Sequence, residues 1–334
     1  MKEAMFQEKI GEGKIKCGLC NQFCILKEGE PGKCGVRINK NGKLYSLVYG
    51  KLVAENVDPI EKKPFYHFLP GSISFSIATC GCNFFCKFCQ NYEIAHPPKE
   101  GKIYMIVERK PEEVVETAIS NGCSSISYTY TEPTVFFEFA YDTAKIAKEK
   151  GLKNNFVTNG YMSKEALKEI SPYLDAANVD LKGDEKFYRE MCGSHQKPVI
   201  ENIELMKKLG IWVEVTTLLI PEFNDSEKQI KEIAEIIKNI DVSIPWHISR
   251  FYPAFKMIDH YPTPVEKIKR AREIGFEVGL KYVYTGNIPG DEGENTYCPS
   301  CKRVLIRRYG YTILENNIKE KKCVFCGEPI DGIF

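Results

Sequence analysis

Residues 79–92 read TCGCNFFCKFCQNY, and this stretch decides the fold that the sequence predicts. Within it, Cys82, Cys86 and Cys89 have the spacing C-x3-C-x2-C, directly after an alternating segment at 72–77. Three closely spaced thiolates can bind three irons of a 4Fe–4S cluster, which normally takes four cysteines. The fourth iron would be open, as one position is in catalytic metal sites. A zinc site completed by Cys80 or another residue is the alternative, although zinc motifs usually pair two C-x2-C units.

The other cysteines are also grouped, and only Cys123 and Cys192 of the fourteen stand alone. One group comprises Cys17, Cys20, Cys24 and Cys34, and another comprises Cys298, Cys301, Cys323 and Cys326. Metal binding explains such grouping better than disulfide bonds do. The first group, C-x2-C-x3-C-x9-C, fits zinc and a second iron–sulfur cluster equally well. The last group is two C-x2-C pairs separated by 21 residues, which predicts a zinc ribbon.

Short strand and helix patterns alternate from about residue 71. The strand candidates are 73–79, 125–130, 154–158, 176–181, 212–220, 244–250 and 281–285. Repeated βα units predict an α/β fold with a parallel sheet and helices outside it. We expect a partial or full (β/α) barrel, with an open doubly wound sheet as the alternative. In both architectures ligands bind at the carboxyl ends of the strands, where the cysteine stretch begins.

Capping residues mark the ends of several helices. Pro111 begins one helix, which Asn121-Gly122 ends, and Asp225 or Ser226 caps a long amphipathic one. The run 263–266, TPVE, predicts a capping box, and Gly275 is expected to end the helix that follows.

The pattern predicts three parts. Residues 1–70 form a β-rich module with four cysteines, 71–290 form the barrel core, and 291–334 form a zinc-ribbon-like module. The last part is short enough to need a staple in order to stay folded.

Composition excludes several classes of partner. The net charge is +1, so no field of one sign attracts nucleic acid or an anionic membrane. No apolar run approaches the roughly 18 residues that span a bilayer. The first residues carry acidic groups and no apolar centre, so they do not resemble a signal peptide. A cytoplasmic location is therefore expected.

Residues 82–91 resemble the cluster loop of the radical S-adenosylmethionine (SAM) superfamily. Residues 157–160 (VTNG) and 180–182 (DLK) look like the third- and fourth-strand motifs of the pyruvate formate-lyase activating enzymes. The N-terminal cysteines, residues 64–68 and 284–287, and the terminal ribbon are similar to the AmmeMemoRadiSam branch. That branch is associated with Memo- and AMMECR-type proteins. The resemblance covers nearly the whole chain.

This resemblance implies an enzyme that uses a 4Fe–4S cluster bound by Cys82, Cys86 and Cys89. SAM would chelate the open iron, and an electron from a low-potential donor would cleave it to a 5′-deoxyadenosyl radical. The radical would abstract hydrogen from a substrate. A protein or peptide substrate is one expectation, because the activating enzymes make glycyl radicals in partner enzymes.

The resemblance also implies residues that contact SAM. Glu132 matches the acidic residue of a Gly-Gly-Glu-like motif whose glycines are absent here, although a helix-start carboxylate is the structural alternative. Asp180 and Lys182 point to one face of a strand, where they would meet SAM or each other. Thr158 and Asn159 are weaker candidates. His247 matches a histidine near SAM in the activating enzymes, although a satisfied core histidine is equally consistent.

Two further residues could act in the site, and one other function fits the cysteine groups. Arg250 has forked donors suited to a carboxylate. Cys192 is either a hydrogen-atom donor or a buried thiol, and burial is the commoner state of free cysteine. The alternative to an enzyme is a non-catalytic scaffold in which the three cysteine groups bind zinc and present a surface for partners.

Overall fold

Six short strands form the N-terminal part of the computed structural model, which describes residues 1–334. They are β1 (Lys2–Glu3), β2 (Gln7–Lys9), β3 (Ile15–Cys17), β4 (Ile25–Leu26), β5 (Arg37–Lys40) and β6 (Lys43–Ser46). They pair as two antiparallel sheets, in the orders β1-β6-β5 and β2-β3-β4. The predicted β-rich character of this segment is therefore observed. The four N-terminal cysteines lie at the end of β3 and in the turns on either side of β4.

A nine-stranded sheet follows. Its strands are β7 (Lys51–Pro59), β8 (Ile73–Thr79), β9 (Val107–Glu108), β10 (Ser125–Tyr128), β11 (Lys153–Thr158), β12 (Ala176–Asp180), β13 (Trp212–Leu219), β14 (Trp246–Arg250) and β15 (Val283–Gly286). The seven predicted strands are all present, each within two residues of its expected bounds. They are parallel, whereas β7 runs antiparallel to β8, and β9 antiparallel to β7.

The strand order distinguishes the two predicted architectures. From one edge the order is β15-β14-β13-β12-β11-β10-β8-β7-β9, so consecutive parallel strands are always neighbours. A doubly wound sheet would reverse direction at a switch point. The edge strands β15 and β9 are not paired, so the structure is a partial (β/α) barrel.

Eight α-helices connect or flank these strands. They are α1 (Tyr92–Ala95), α2 (Pro111–Ser120), α3 (Phe137–Glu149), α4 (Lys164–Ile170), α5 (Glu185–Phe187), α6 (Lys197–Lys208), α7 (Glu227–Ile240) and α8 (Val265–Val278). The crossovers run in one direction along the sheet, so right-handed connections keep the helices on its outer face. Helix α2 begins at Pro111 as predicted, and Ser226 caps α7 by accepting a hydrogen bond from the Gln229 N–H.

Helix α8 departs from its prediction at both ends. The hydroxyl of Thr263 does not cap the helix, because it donates to the Leu219 carbonyl at 2.6 Å. Gly275 does not end the helix, which continues to Val278 and is capped by Gly279 in the left-handed region. Gly275 instead permits close packing, since a Cβ there would lie 2.9 Å from the side chain of Val283.

Five strands form the C-terminal part. They are β16 (Thr296–Tyr297), β17 (Val304–Tyr309), β18 (Thr312–Asn316), β19 (Ile318–Lys319) and β20 (Lys322–Cys323). The core of this part contains only five buried residues, two of them cysteines. Backbone bonds between Ile333 and the segment 67–69 attach it to the barrel. The guanidinium of Arg308 adds hydrogen bonds to the carbonyls of Tyr66 and Glu294.

The main core extends across the first of the predicted boundaries. One cluster of 67 buried residues runs from Ala4 to Val283 and includes both N-terminal and barrel side chains. Strand β7, although it precedes residue 70, is hydrogen-bonded into the barrel sheet. The division at residues 70 and 290 stays a prediction. None of the helices combines the length and the apolar composition that crossing a membrane requires.

A buried histidine joins the barrel to the C-terminal part. His67 Nδ1 lies 2.7 Å from the Asp331 carbonyl, and its Nε2 lies 2.5 Å from the Tyr284 hydroxyl. A neutral ring satisfies both contacts, with Nδ1–H donating and Nε2 accepting. Burial lowers the pKa of His67 to about 4.

We predict that this histidine weakens the fold in acid. Unfolded histidine binds a proton near pH 6.5, so between about pH 6.5 and 4 the unfolded state binds more protons. The free energy of unfolding should fall with falling pH in that window, by up to about 1.4 kcal/mol per unit from this residue. Thermal unfolding of His67→Gln should show a shallower dependence on pH than that of the wild type. Equal slopes for the two proteins would contradict the assignment.

Candidate functional site

The cysteine loop lies at the carboxyl end of β8. The π-helical turn Tyr188–Cys192 supports it, because the N–H groups of Phe85 and Lys87 donate to the carbonyls of Cys192 and Met191 at 2.9 and 3.0 Å. Such π-helical turns occur frequently at functional sites. The side chains of Cys82, Cys86 and Cys89 are partly exposed, and all fourteen cysteines are free.

The three loop thiols have different electrostatic surroundings. Burial raises the pKa of Cys82, and it raises that of Cys89 to about 11. The pKa of Cys86 is lowered, first by a hydrogen bond with Cys192 and also by the charge of Lys182. A metal binds the deprotonated thiolate, so cluster assembly would release protons from these groups.

A hydrogen-bonded chain connects β10 and β11 to this loop. The Glu132 carboxylate accepts from the Thr158 hydroxyl and the Asn159 N–H, both at 2.8 Å. The Asn159 side-chain amide donates to Asn83 Oδ1 at 2.7 Å and lies 3.8 Å from Cys82 Sγ. Three of the predicted residues, Glu132, Thr158 and Asn159, are therefore brought together with the loop cysteine Cys82.

Both carboxylate oxygens of Glu132 already accept hydrogen bonds from the protein. Glu132 also accepts from the N–H and hydroxyl of Thr134, at 3.0 and 2.5 Å, and so caps the 3₁₀ turn Pro133–Phe136. Burial raises the pKa of its carboxyl, which these hydrogen bonds oppose. The helix-start geometry considered as the alternative is thus observed, and Glu132 positions Asn159.

Asp180 and Lys182 form an ion pair at the carboxyl end of β12. Lys182 Nζ lies 2.6 Å from Asp180 Oδ2. Burial opposes the charge of Lys182, but Asp180 and the Cys86 and Cys192 thiols raise its pKa well above the ordinary value. The Asp180 side chain is 34% exposed. Asp180 and Lys182 therefore contact each other, which was one of the two arrangements predicted from the sequence. The pair also borders the cysteine loop.

His247 faces the barrel interior at some distance from the pair. Strand register places Asp180, Thr216, His247 and Tyr284 in one row across four neighbouring strands. His247 is two strands from Asp180, which corresponds to about 10 Å. Its Nε2 lies 2.6 Å from Glu214 Oε2 and its ring stacks on Tyr284. The histidine is a satisfied interior residue, yet it also lines a cavity.

That cavity has a volume of about 320 Å³, and few of the residues that line it are hydrophobic. Residues of β13, β14 and β15 form one wall, and the segments 61–66 and 310–311 form the other. It lies beside the edge strand β15, where the barrel is not closed. Small ligands commonly bind in concave sites where a few polar groups converge.

Arg250 and Cys192 have structural partners. Arg250 donates to the Thr263 carbonyl at 2.7 Å and to the Tyr252 hydroxyl at 2.9 Å, so its guanidinium orders the loop after β14. Cys192 is buried, as favoured from sequence, although it contacts Cys86.

The sequence reasoning missed Asn83 and Lys99. Asn83 is linked to Asn159, and the Lys99 ammonium donates to the Phe84 carbonyl. Burial lowers the pKa of Lys99, and negative charge at Cys82 opposes that shift. The position of Asn83 between two loop cysteines was the available signal. No sequence pattern predicts that Lys99 lies beside the cysteine loop.

The terminal cysteines converge on one point. The Sγ atoms of Cys298 and Cys326 are 3.6 Å apart, and those of Cys301 and Cys323 are 3.8 Å apart. Tetrahedral zinc with Zn–S bonds of about 2.3 Å would separate its sulfurs by about 3.8 Å. These four are the only group of three or more potential ligands in the chain with all ligand atoms within 4.8 Å of one another.

Comparisons with known proteins agree with this geometry. The model of the radical SAM superfamily matches residues 76–237. An uncharacterized protein of Methanocaldococcus jannaschii is 48% identical over 334 residues, which cover 99% of each chain. Residues 76–237 are therefore a radical SAM domain. Such a domain implies an enzyme with a 4Fe–4S cluster and SAM, and the three-thiol donor set at the strand end suits that cluster.

More distant radical SAM relatives differ in reaction. The pyruvate formate-lyase-activating enzyme of Clostridium pasteurianum is 24% identical over 48% of this chain and 67% of its own. The GTP 3′,8-cyclase of Aquifex aeolicus is 26% identical over 70% of this chain and 78% of its own. A radical SAM methyltransferase from Sphaerobacter thermophilus shares the fold, with a TM-score of 0.51 and 16% identity over 68% of this chain and 71% of its own.

Proposed function

We propose that this radical SAM protein binds its 4Fe–4S cluster through Cys82, Cys86 and Cys89. SAM bound at the remaining iron would be cleaved reductively to a 5′-deoxyadenosyl radical that abstracts hydrogen from a substrate. The observation that carries the proposal is the loop itself. Three thiols at the carboxyl end of β8 lie beside the Asp180–Lys182 pair and the Asn159 amide.

The polar residues beside the loop have complementary groups for SAM. Lys182 offers a donor for the carboxylate, and Asp180 offers an acceptor for the ammonium. Glu132 and Thr158 hold Asn159, whose amide faces the Cys82 sulfur and can donate to it once a cluster is bound. We assign His247 to the wall of the interior cavity, with SAM contact as a weaker assignment.

The substrate we favour is a protein or peptide, as in glycyl-radical enzyme activation. Support comes from the activating-enzyme relative and from the motifs at 157–160 and 180–182. The similarity to a GTP cyclase makes a small molecule the competing class. A low-potential one-electron donor is required in either case.

Three narrower assignments rest on sequence alone. They are membership of the AmmeMemoRadiSam branch, association with Memo- and AMMECR-type proteins, and a cytoplasmic location. The alternative of a non-catalytic zinc scaffold is not favoured, because the superfamily match covers the cysteine loop.

Anaerobic turnover tests the proposed reaction. Protein reconstituted with iron and sulfide should convert SAM to 5′-deoxyadenosine and methionine when a strong reductant is present. Chromatography measures both products. A protein that holds a reduced cluster and binds SAM without yielding either product would refute the proposal.

We also propose that the terminal cysteines bind structural zinc. Cys301→Ala should lower the zinc content by about one per chain and make residues 291–334 more sensitive to protease, because a five-residue core cannot hold this part alone. Loop-bound iron should be retained. Cys123→Ala, at a buried cysteine outside the three groups, is the matched control. Unchanged zinc and protease sensitivity in Cys301→Ala would contradict the assignment.

A further inference from the structure

The four N-terminal cysteines surround a cavity of their own. Cys17, Cys20, Cys24 and Cys34 all line it, so the four thiols stand around a gap that the protein's own atoms do not fill. None of the three cysteines proposed to bind the catalytic cluster lines this cavity. Asn83 is the only residue of the cysteine loop (residues 79–92) that does.

The spacing of these thiols differs from that of the terminal group. The terminal sulfurs lie at the separation that one zinc ion imposes, whereas no three N-terminal sulfurs lie within 4.8 Å of one another. In an iron–sulfur cluster each thiolate binds a different iron, so the ligand sulfurs are farther apart than around a single ion. The wider arrangement therefore favours a cluster over zinc.

Two buried donors without partners border the same cavity. Arg37 Nε and Asn83 Nδ2 are buried and make no hydrogen bond, and both side chains line the cavity. Arg37 and Asn83 are 2% and 3% exposed. Unsatisfied buried donors are costly, so an anionic acceptor is expected between them. The sulfurs of a thiolate-bound cluster provide such acceptors.

A glycine leaves one side of the site open. A Cβ on Gly32 would lie 3.7 Å from Cys34 Sγ and 3.8 Å from Cys24 Sγ. Alanine would make ordinary contacts at this position, but a longer side chain would extend among the sulfurs. Gly32 therefore offers a way to fill the site without removing a ligand.

We propose that Cys17, Cys20, Cys24 and Cys34 bind a second 4Fe–4S cluster. Four thiolates supply a ligand to every iron, so this cluster has no open position for SAM and is suited to electron transfer. Its neighbour is the catalytic loop, since Gln22 Nε2 donates to the Asn83 carbonyl at 3.1 Å and Asn83 directly follows Cys82. The electron-transfer role rests on the proposed function, whereas occupancy of the site does not.

Metal analysis of the anaerobic wild-type protein tests the inference without any substitution. We expect about eight irons, eight sulfides and one zinc per chain. About four irons with two zincs would overturn the inference. If that protein still cleaved SAM, the proposed function would stand.

Variants then assign the iron to its site. The triple variant Cys82→Ala/Cys86→Ala/Cys89→Ala should keep about four irons and an electron paramagnetic resonance signal after reduction. An iron-free triple variant that carries a second zinc would overturn the inference. Four irons in that variant would uphold it even if the wild type failed to cleave SAM.

Gly32 provides the complementary test. Gly32→Leu should lose about four irons and keep the loop cluster, whereas Gly32→Ala should keep about eight. Circular dichroism and the thermal midpoint show whether each variant is folded. A folded Gly32→Leu protein with all eight irons would overturn the placement of the cluster among these thiols.

Discussion

Cys86→Ala is expected to abolish SAM cleavage and to remove about four irons per chain, because two thiolates are too few to retain the catalytic cluster. Cys86 is the middle one of the three proposed ligands, with Cys192 and Lys182 beside its thiol. Anaerobic iron analysis and quantification of 5′-deoxyadenosine measure the two losses. Iron at the N-terminal cysteines should remain, so the variant should lose only part of the visible absorbance that iron–sulfur clusters give the protein.

Cys80→Ala is the matched control for this prediction. Cys80 precedes the same loop and is fully buried, but it is not one of the three proposed ligands. Its removal should leave the catalytic iron and SAM cleavage close to wild type. Full cleavage by Cys86→Ala, or loss of cleavage in Cys80→Ala alone, would show that the catalytic iron is bound elsewhere.

Glu138→Gln is expected to cause a large loss of stability. Arg37 and Glu138 form a two-pronged ion pair at 2.7 and 2.9 Å, and each side chain is 2% exposed. The pair joins β5 of the N-terminal part to α3 of the barrel. Leaving the guanidinium buried without its partner charge should cost about 3–5 kcal/mol. Denaturant unfolding measures the loss.

The pair between Arg109 and Glu55 provides the control. It has the same two-pronged geometry, with a shortest contact of 2.7 Å, but its side chains are 31% and 27% exposed. Glu55→Gln should therefore cost no more than about 1 kcal/mol. Equal losses of unfolding free energy in Glu138→Gln and Glu55→Gln would contradict the prediction that burial makes the Arg37–Glu138 pair the stronger one.

The strands could be predicted because their signals are local. Alternating apolar runs between turn residues placed all seven parallel strands, and the cysteine spacing identified the loop at the end of β8. These features depend on residues close together in the chain. Strand order does not, and the alternation of strands and helices left a barrel and a doubly wound sheet both possible.

What was missed depends on contacts between distant residues. Thr263 hydrogen-bonds to Leu219, 44 residues away, and so cannot act as the predicted cap. Arg37 and Glu138 are 101 residues apart, and no local sequence pattern predicts that they pair. The satisfaction of Glu132 by Thr158 and Asn159 likewise becomes visible only when β10 and β11 are adjacent.

The open iron of the loop cluster is the central claim, and magnetic resonance of the reduced protein tests it most directly. Electron–nuclear double resonance with SAM labelled by ¹⁵N at the amino group and ¹³C at the carboxylate detects nuclei bound to the cluster. We predict hyperfine coupling to both labels in the wild type and none in Cys86→Ala. A reduced wild-type cluster that shows neither coupling while SAM is bound would contradict the account.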